Sequence, residues 1–142
     1  MTFVTVHNAI RNRFGANVVA SSSAIGTDDV VYDNVEFDTH DAGESALWVR
    51  FQILTGESEV RELGSSVART TGIALASVFS LAGRGDNLSL GLVDEIVSAF
   101  KATTHTYGGA TIVFRTPSVQ HIGRDGSWWQ TNVSIPFYTD DA

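Results

Sequence analysis

From Leu47 to Leu54 the chain alternates with a period of two, yet both of the resulting faces carry large groups. Val49, Phe51 and Ile53 fall on one side; Trp48, Arg50, Gln52 and Leu54 fall on the other. Such a strand packs on a core through its Val-Phe-Ile side. Its Trp48 and Leu54 side has to meet something as well, a helix or another subunit.

The flanking segments supply the rest of a sheet. Val67–Leu81 is a long β-branched run that reads as the returning strand, with Gly72 as a bulge or kink. Gly56–Gly64, with Glu57, Glu59, Arg61 and Glu62, reads as a polar connection, an extended hairpin loop. Two further strands are expected at Ala110–Ile122 and Ser127–Tyr138, joined by Gly123-Arg124-Asp125-Gly126, where Asp-Gly is a strong hairpin signal. Val18–Ser22 reads as short and β-rich, Asp28–Phe37 as irregular extended chain, and Asp38–Ser45 as a polar loop.

Two helices complete the pattern. Phe3, Val6, Ile10 and Phe14 recur at helical spacing, with Thr2 as cap and Gly15 as stop. Leu92, Val93, Ile96, Val97 and Phe100 form a second apolar face, with Ser89 as cap, Asp94 and Glu95 in the first turns and Lys101 in the last. The fold class is α+β: an antiparallel or mixed β-sheet with a long β-hairpin, packed by two α-helices. With 142 residues, one domain spanning 1–142 is expected.

Composition excludes several functions. A formal charge of −7, with scattered basic residues, opposes phosphate-backbone binding. The absence of cysteine removes disulfides and thiolate metal sites. No signal peptide and no run of about 18 apolar residues is present, so a soluble chain made in the cytoplasm, without membrane contact, is expected.

Catalytic patterns are weak. His7, His40, His105 and His121 share no metal-ligand spacing, and the cluster Asp38, His40, Asp41 is better explained as a solvated acidic loop. The carboxylate pairs Asp28-Asp29, Asp94-Glu95 and Asp140-Asp141 are adjacent residues that point apart. Arg84-Gly85-Asp86 and the sequons at Asn87 and Asn132 are chance matches in a chain without a secretion signal. No nucleophile elbow and no phosphate loop occurs, so no cofactor is expected. The neighbours Trp128 and Trp129 send one indole inward and one outward, as packing or as an interface anchor.

These landmarks carry a resemblance. Asn34-Val35-Glu36-Phe37 before a loop, Trp48 opening a strand, Gly56, Leu63-Gly64, then Arg69 and Gly72 resemble the first half of bacteriophage tail terminator proteins. The amphipathic helix, Phe114, Gly123, Trp128 or Trp129, Asn132 and Phe137 continue it to about Tyr138. Asp38-Thr39 and Leu81-Ala82 stand where family members often place proline, which affects loop geometry and subfamily.

The resemblance implies a structural virion protein and not an enzyme: a hexameric ring on the end of a tail tube that stops polymerisation and offers a head-joining surface. Its partners would be copies of itself, the tube protein and a head-completion or neck protein, in host cytoplasm before assembly and in the virion afterwards. Gene-transfer agents use similar proteins. DNA would pass the negatively charged lumen without specific binding. Such a ring needs two different patches on each subunit. The residues expected at tube or ring contacts are Trp48, Arg50, Glu57, Glu59, Arg61, Glu62, Arg69, Trp128 and Trp129. Two alternatives stand beside it, another neck or tube subunit and a small hydrolase using His40 and Asp41.

Overall fold

The computed structural model describes residues 3–19, 30–32, 47–60, 68–81, 87–125 and 128–141. Helix α1 spans Phe3–Phe14. Val6, Ile10 and Phe14 are buried, as their helical spacing predicts, and Ala9 is buried with them; the Phe3 side chain lies outside the described ones. Arg11 and Arg13 occupy its last turn, where cations complement the helix dipole. The expected stop at Gly15 is not observed, because Gly15–Val19 continues as a π-helical turn. Val18 extends the spacing of Ile10 and Phe14 and is fully buried, so carrying the helix past Gly15 gains an apolar contact. This corrects the β reading at Val18 and Val19; residues 20–22, like the Thr2 cap, lie outside the described residues.

Seven described strands form one mixed sheet: β1 (Val30–Tyr32), β2 (Leu47–Val60), β3 (Ala68–Leu81), β4 (Thr104–Tyr107), β5 (Ala110–Phe114), β6 (Ser118–Asp125) and β7 (Trp128–Asp141). Their order is β1-β2-β3-β7-β5-β4, with β6 also on β7. β1 runs parallel to β2. This short strand replaces the irregular chain expected at its position. All other pairs are antiparallel.

β2 is longer than the alternation indicated. Gly56 through Val60, read as loop, remain in the strand, and the β2–β3 connection falls outside the described residues. The irregularity expected at Gly72 lies across the ladder instead, in a register shift of β2 between Thr55 and Ser58. The run Ala110–Ile122 is two strands, β5 and β6, lying along the same edge of β7 and broken at residues 115–117 by Pro117, which cannot donate to a ladder. β4 was not foreseen, since Thr104-His105-Thr106-Tyr107 lacks apolar alternation. Gly108 and Gly109 form its two-residue turn to β5 with φ of 61° and 86°.

Helix α2 spans Asn87–Phe100. It begins before Ser89, which is buried inside it and is not its cap. Asp94 and Glu95 therefore lie mid-helix, and the first turn holds no acid. The amide of Lys101 closes the last turn on the Val97 carbonyl at 2.8 Å.

Both helices cover one sheet face. The core there joins Val49, Phe51 and Ile53 of β2, Ala74, Ala76 and Val78 of β3, and Val133, Ile135 and Phe137 of β7 to the helical stripes. Phe14 stacks on Phe51 at 4.3 Å, and Phe100 meets Phe114 edge-on at 4.9 Å. Fourteen-residue strands run roughly 46 Å, while the helices run roughly 18–21 Å. Each α-helix is therefore no more than about half as long as the longest strands.

Candidate interaction surface

The other sheet face is built by the alternate residues of the same strands. Its upper row pairs Trp48 of β2 with Phe79 of β3. Their rings stack at 4.1 Å and 11°, and Trp128 meets Trp48 edge-on at 5.9 Å. With Val31 they make a second apolar cluster, in which Trp48 is only 4% exposed and Trp128 is half-buried. The partner that the Trp48 side required is thus supplied within the chain. Arg50 is exposed, with its guanidinium 5.4 Å from the Phe79 ring centre and 6.0 Å from that of Trp48.

Further down, Leu54, Ile73 and Pro136 lie directly opposite one another across β2, β3 and β7. Leu54 is 54% and Ile73 41% exposed, so an apolar ridge faces water. The lower end is held by charge. Arg69 makes a two-pronged ion pair with Asp140, at 2.8 and 2.9 Å, and lies 3.9 Å over the Tyr138 ring. Arg115 is 5.2 Å from that ring. The pairs Arg69–Asp140 and Thr71–Tyr138 are both set by the β3–β7 register.

The residues singled out from sequence thus divide. Trp48, Arg50 and Trp128 come together at one end of this face. Glu59 lies opposite Arg69 at the other, with Glu57 beside the β2 register shift. Arg61 and Glu62 lie outside the described residues. Trp129 is 37% exposed and alternates onto the helix-covered side, opposite Ser80. Sequence reasoning missed Ile73, Pro136, Tyr138, Arg115 and Asp140. Extending the β3 alternation would have found Ile73, but cross-strand stacking needs the register.

The helix side has its own relief. Arg13, Asn17, Asp94, Glu95, Ser98 and Ala99 line an open cleft of about 420 Å³ between α1 and α2. Arg13 Nε donates to the Ala99 carbonyl at 2.9 Å, tying the end of α1 to that of α2. His105 Nε2 donates to Asn12 Oδ1 at 3.1 Å, and burial, reinforced by the Arg13 charge, holds its pKa below the usual 6.5. Burial raises the Tyr32 phenol above its usual 10.0 against the opposing effect of Arg11. His7 is half-buried on α1, His121 is exposed on β6, and the cluster Asp38, His40, Asp41 lies outside the described residues. Among the described residues no three metal-ligating side chains converge.

These features define a two-layer α+β protein with one helix-covered sheet face and one open face bearing apolar and guanidinium groups. The chain belongs to the phage tail terminator family, whose model, described as phage tail terminator protein, matches residues 5–137. That is a family of structural tail proteins. One solved structure shares the fold with a TM-score of 0.69 and 18% identity, over 96% of each chain. A second, from the virion of a native gene transfer agent particle, has a TM-score of 0.64 and 14% identity, over 99% of this chain and all of that one. Among curated proteins there is no match.

Proposed function

We propose that the chain, acting as one unit over residues 1–142, forms a ring on the end of a phage or phage-like tail tube. The ring stops tube polymerisation and presents the surface on which the head or neck is joined. The family match over residues 5–137 carries this reading. The likeness to a chain of a gene transfer agent virion supports placement in a particle. Six copies are proposed, because a hexameric ring is what the family resemblance implies. The partners are further copies of the chain, the tube protein and a neck protein, and the role is structural, not enzymatic.

The open sheet face supports a contact role, since its Leu54–Ile73 ridge is left uncovered in the single chain. The ends of β2 at Val60 and of β3 at Ala68 are proposed to face the tube, with Arg61 and Glu62, outside the described residues, among the proposed contacts. Each copy brings a formal charge of −7, so a lumen built from such copies repels passing DNA and does not retain it. Host cytoplasm is the proposed location before assembly.

Electron microscopy of the protein mixed with its tube subunit, beside the tube subunit alone, tests the reading. The expected outcome is a single extra ring at one tube end and tubes that stop lengthening. Tubes that lengthen unchanged and bare would overturn termination. A second structural reading, a tube or neck subunit, draws on the gene transfer agent match, because the particle's name specifies no position within it. Endless end-on stacking of the pure protein would favour that alternative.

A further inference from the structure

The open sheet face carries two guanidiniums held ready for an anion. Arg50 rests near Phe79 and Trp48, at 5.4 and 6.0 Å, and Arg115 near Tyr138, at 5.2 Å. Both are exposed, and neither has an ion pair or side-chain hydrogen bond among the described residues. A guanidinium lying on an aromatic ring is oriented without using its N–H donors, so binding an anion costs little further ordering. The Arg50 row reaches β7 at Asn132, and the Arg115 amide donates to the Pro136 carbonyl. Four residues of strand, roughly 13 Å, separate the two arginine backbones along the strands, and three strand spacings, roughly 14 Å, separate them across the sheet. The Leu54–Ile73 ridge crosses the strands at the level of Pro136.

On the opposite layer, the exposed face of α2 carries the opposite sign. α2 exposes Gly91, Asp94, Glu95 and Ser98. Neither carboxylate has an ion pair among the described residues. A Cβ at Gly91 would meet nothing within 4 Å, so the helix surface is low and open there. Asp94 and Glu95 line the 420 Å³ cleft shared with α1, where Arg13 is tied to the Ala99 carbonyl and the two carboxylates outnumber it.

We propose, building on the ring reading above, that the open sheet face of one copy docks on the α2 face of the next. Leu54 and Ile73 pack against the helix, one guanidinium enters the Asp94–Glu95 cleft, and the other borders the contact. The two patches are on opposite layers of one molecule, so the contact is head-to-tail, the kind that closes into a ring. Nucleic acid fits this face poorly. Of its arginines, Arg69 is already neutralised by Asp140, and the ridge between the other two offers phosphate nothing.

The test reverses charge on each face. Arg50→Glu with Arg115→Glu, and separately Asp94→Arg with Glu95→Arg, alter exposed positions; circular dichroism checks that each variant folds. Ring formation on tube ends is scored by electron microscopy across a concentration series. Each double variant alone is expected to need roughly tenfold more protein, or more. A one-to-one mixture is expected to regain wild-type assembly, because in an alternating ring every contact again joins opposite signs. If both variants assemble like wild type, or the mixture stays as weak as its components, the pairing of these faces is wrong while the ring reading stands. A wild-type chain that forms no ring on tubes removes both.

Discussion

Gly72 stands on β3 where its neighbours leave no room for a side chain. A Cβ there would lie 2.6 Å from the Leu54 carbonyl oxygen and 2.6 Å from Cζ of Phe137. Phe137 is its direct partner on β7, is 2% exposed and meets Phe114 edge-on, so its ring fills the space that glycine leaves open. Gly72→Ala must displace either that ring or the β2 backbone. The expected cost is about 1–3 kcal/mol, as for overpacked cores. It would be read as a lower urea midpoint with an unchanged slope. Wild-type stability would mean that the ring has room to move. The sequence marked Gly72 as special for the wrong reason. The bulge belongs to β2, where Gly56 and Glu57 face the single Thr71 of β3.

At the scale of elements, α1 is fastened to β4 by the Asn12–His105 bond, next to the Arg13 charge. The folded pKa of His105 lies below its ordinary 6.5, because burial and Arg13 both oppose the cation. Folding therefore favours the neutral ring. Its contribution is fully present above pH 6.5 and is lost as pH falls from 6.5 through the folded value. His105→Gln should thus flatten the decline of melting temperature between pH 7.5 and pH 5, compared with wild type. Parallel profiles for the two proteins would remove His105 as a source of that slope.

The same scale shows what the sequence could reveal. The stripes of α1 and α2 and the alternation of β2 are carried by side-chain chemistry, so period alone placed them and their core residues. Strand Thr104–Tyr107 is carried by pairing with β5 and by a turn of two left-handed glycines, and its side chains hold no period. The π turn at Gly15–Val19 depends on the burial of Val18, which spacing suggests only once the core is known. The open face was half legible. Trp48, Arg50 and Leu54 alternate onto it visibly, but the Arg115–Tyr138–Arg69 stack joins three separate strands or connections through register.

For the whole molecule, the three tryptophans separate stability from assembly. Trp48 stacks on Phe79, meets Trp128 edge-on and is almost fully buried, so it anchors the second core. Trp48→Ala should cost about 3–5 kcal/mol, a loss visible in denaturant unfolding of the isolated chain. Trp129 is 37% exposed on the helix side, the side proposed to receive a neighbour's sheet. Removing it should cost the isolated chain about 1 kcal/mol or less. If it anchors a contact between copies, Trp129→Ala should raise the concentration needed for ring formation by roughly tenfold or more. The contrast is the informative quantity. A Trp129→Ala chain that is stable but assembly-deficient ties this indole to the interface. One that is stable and assembles like wild type leaves the contact to the sheet face and α2, and Trp129 becomes an ordinary surface residue.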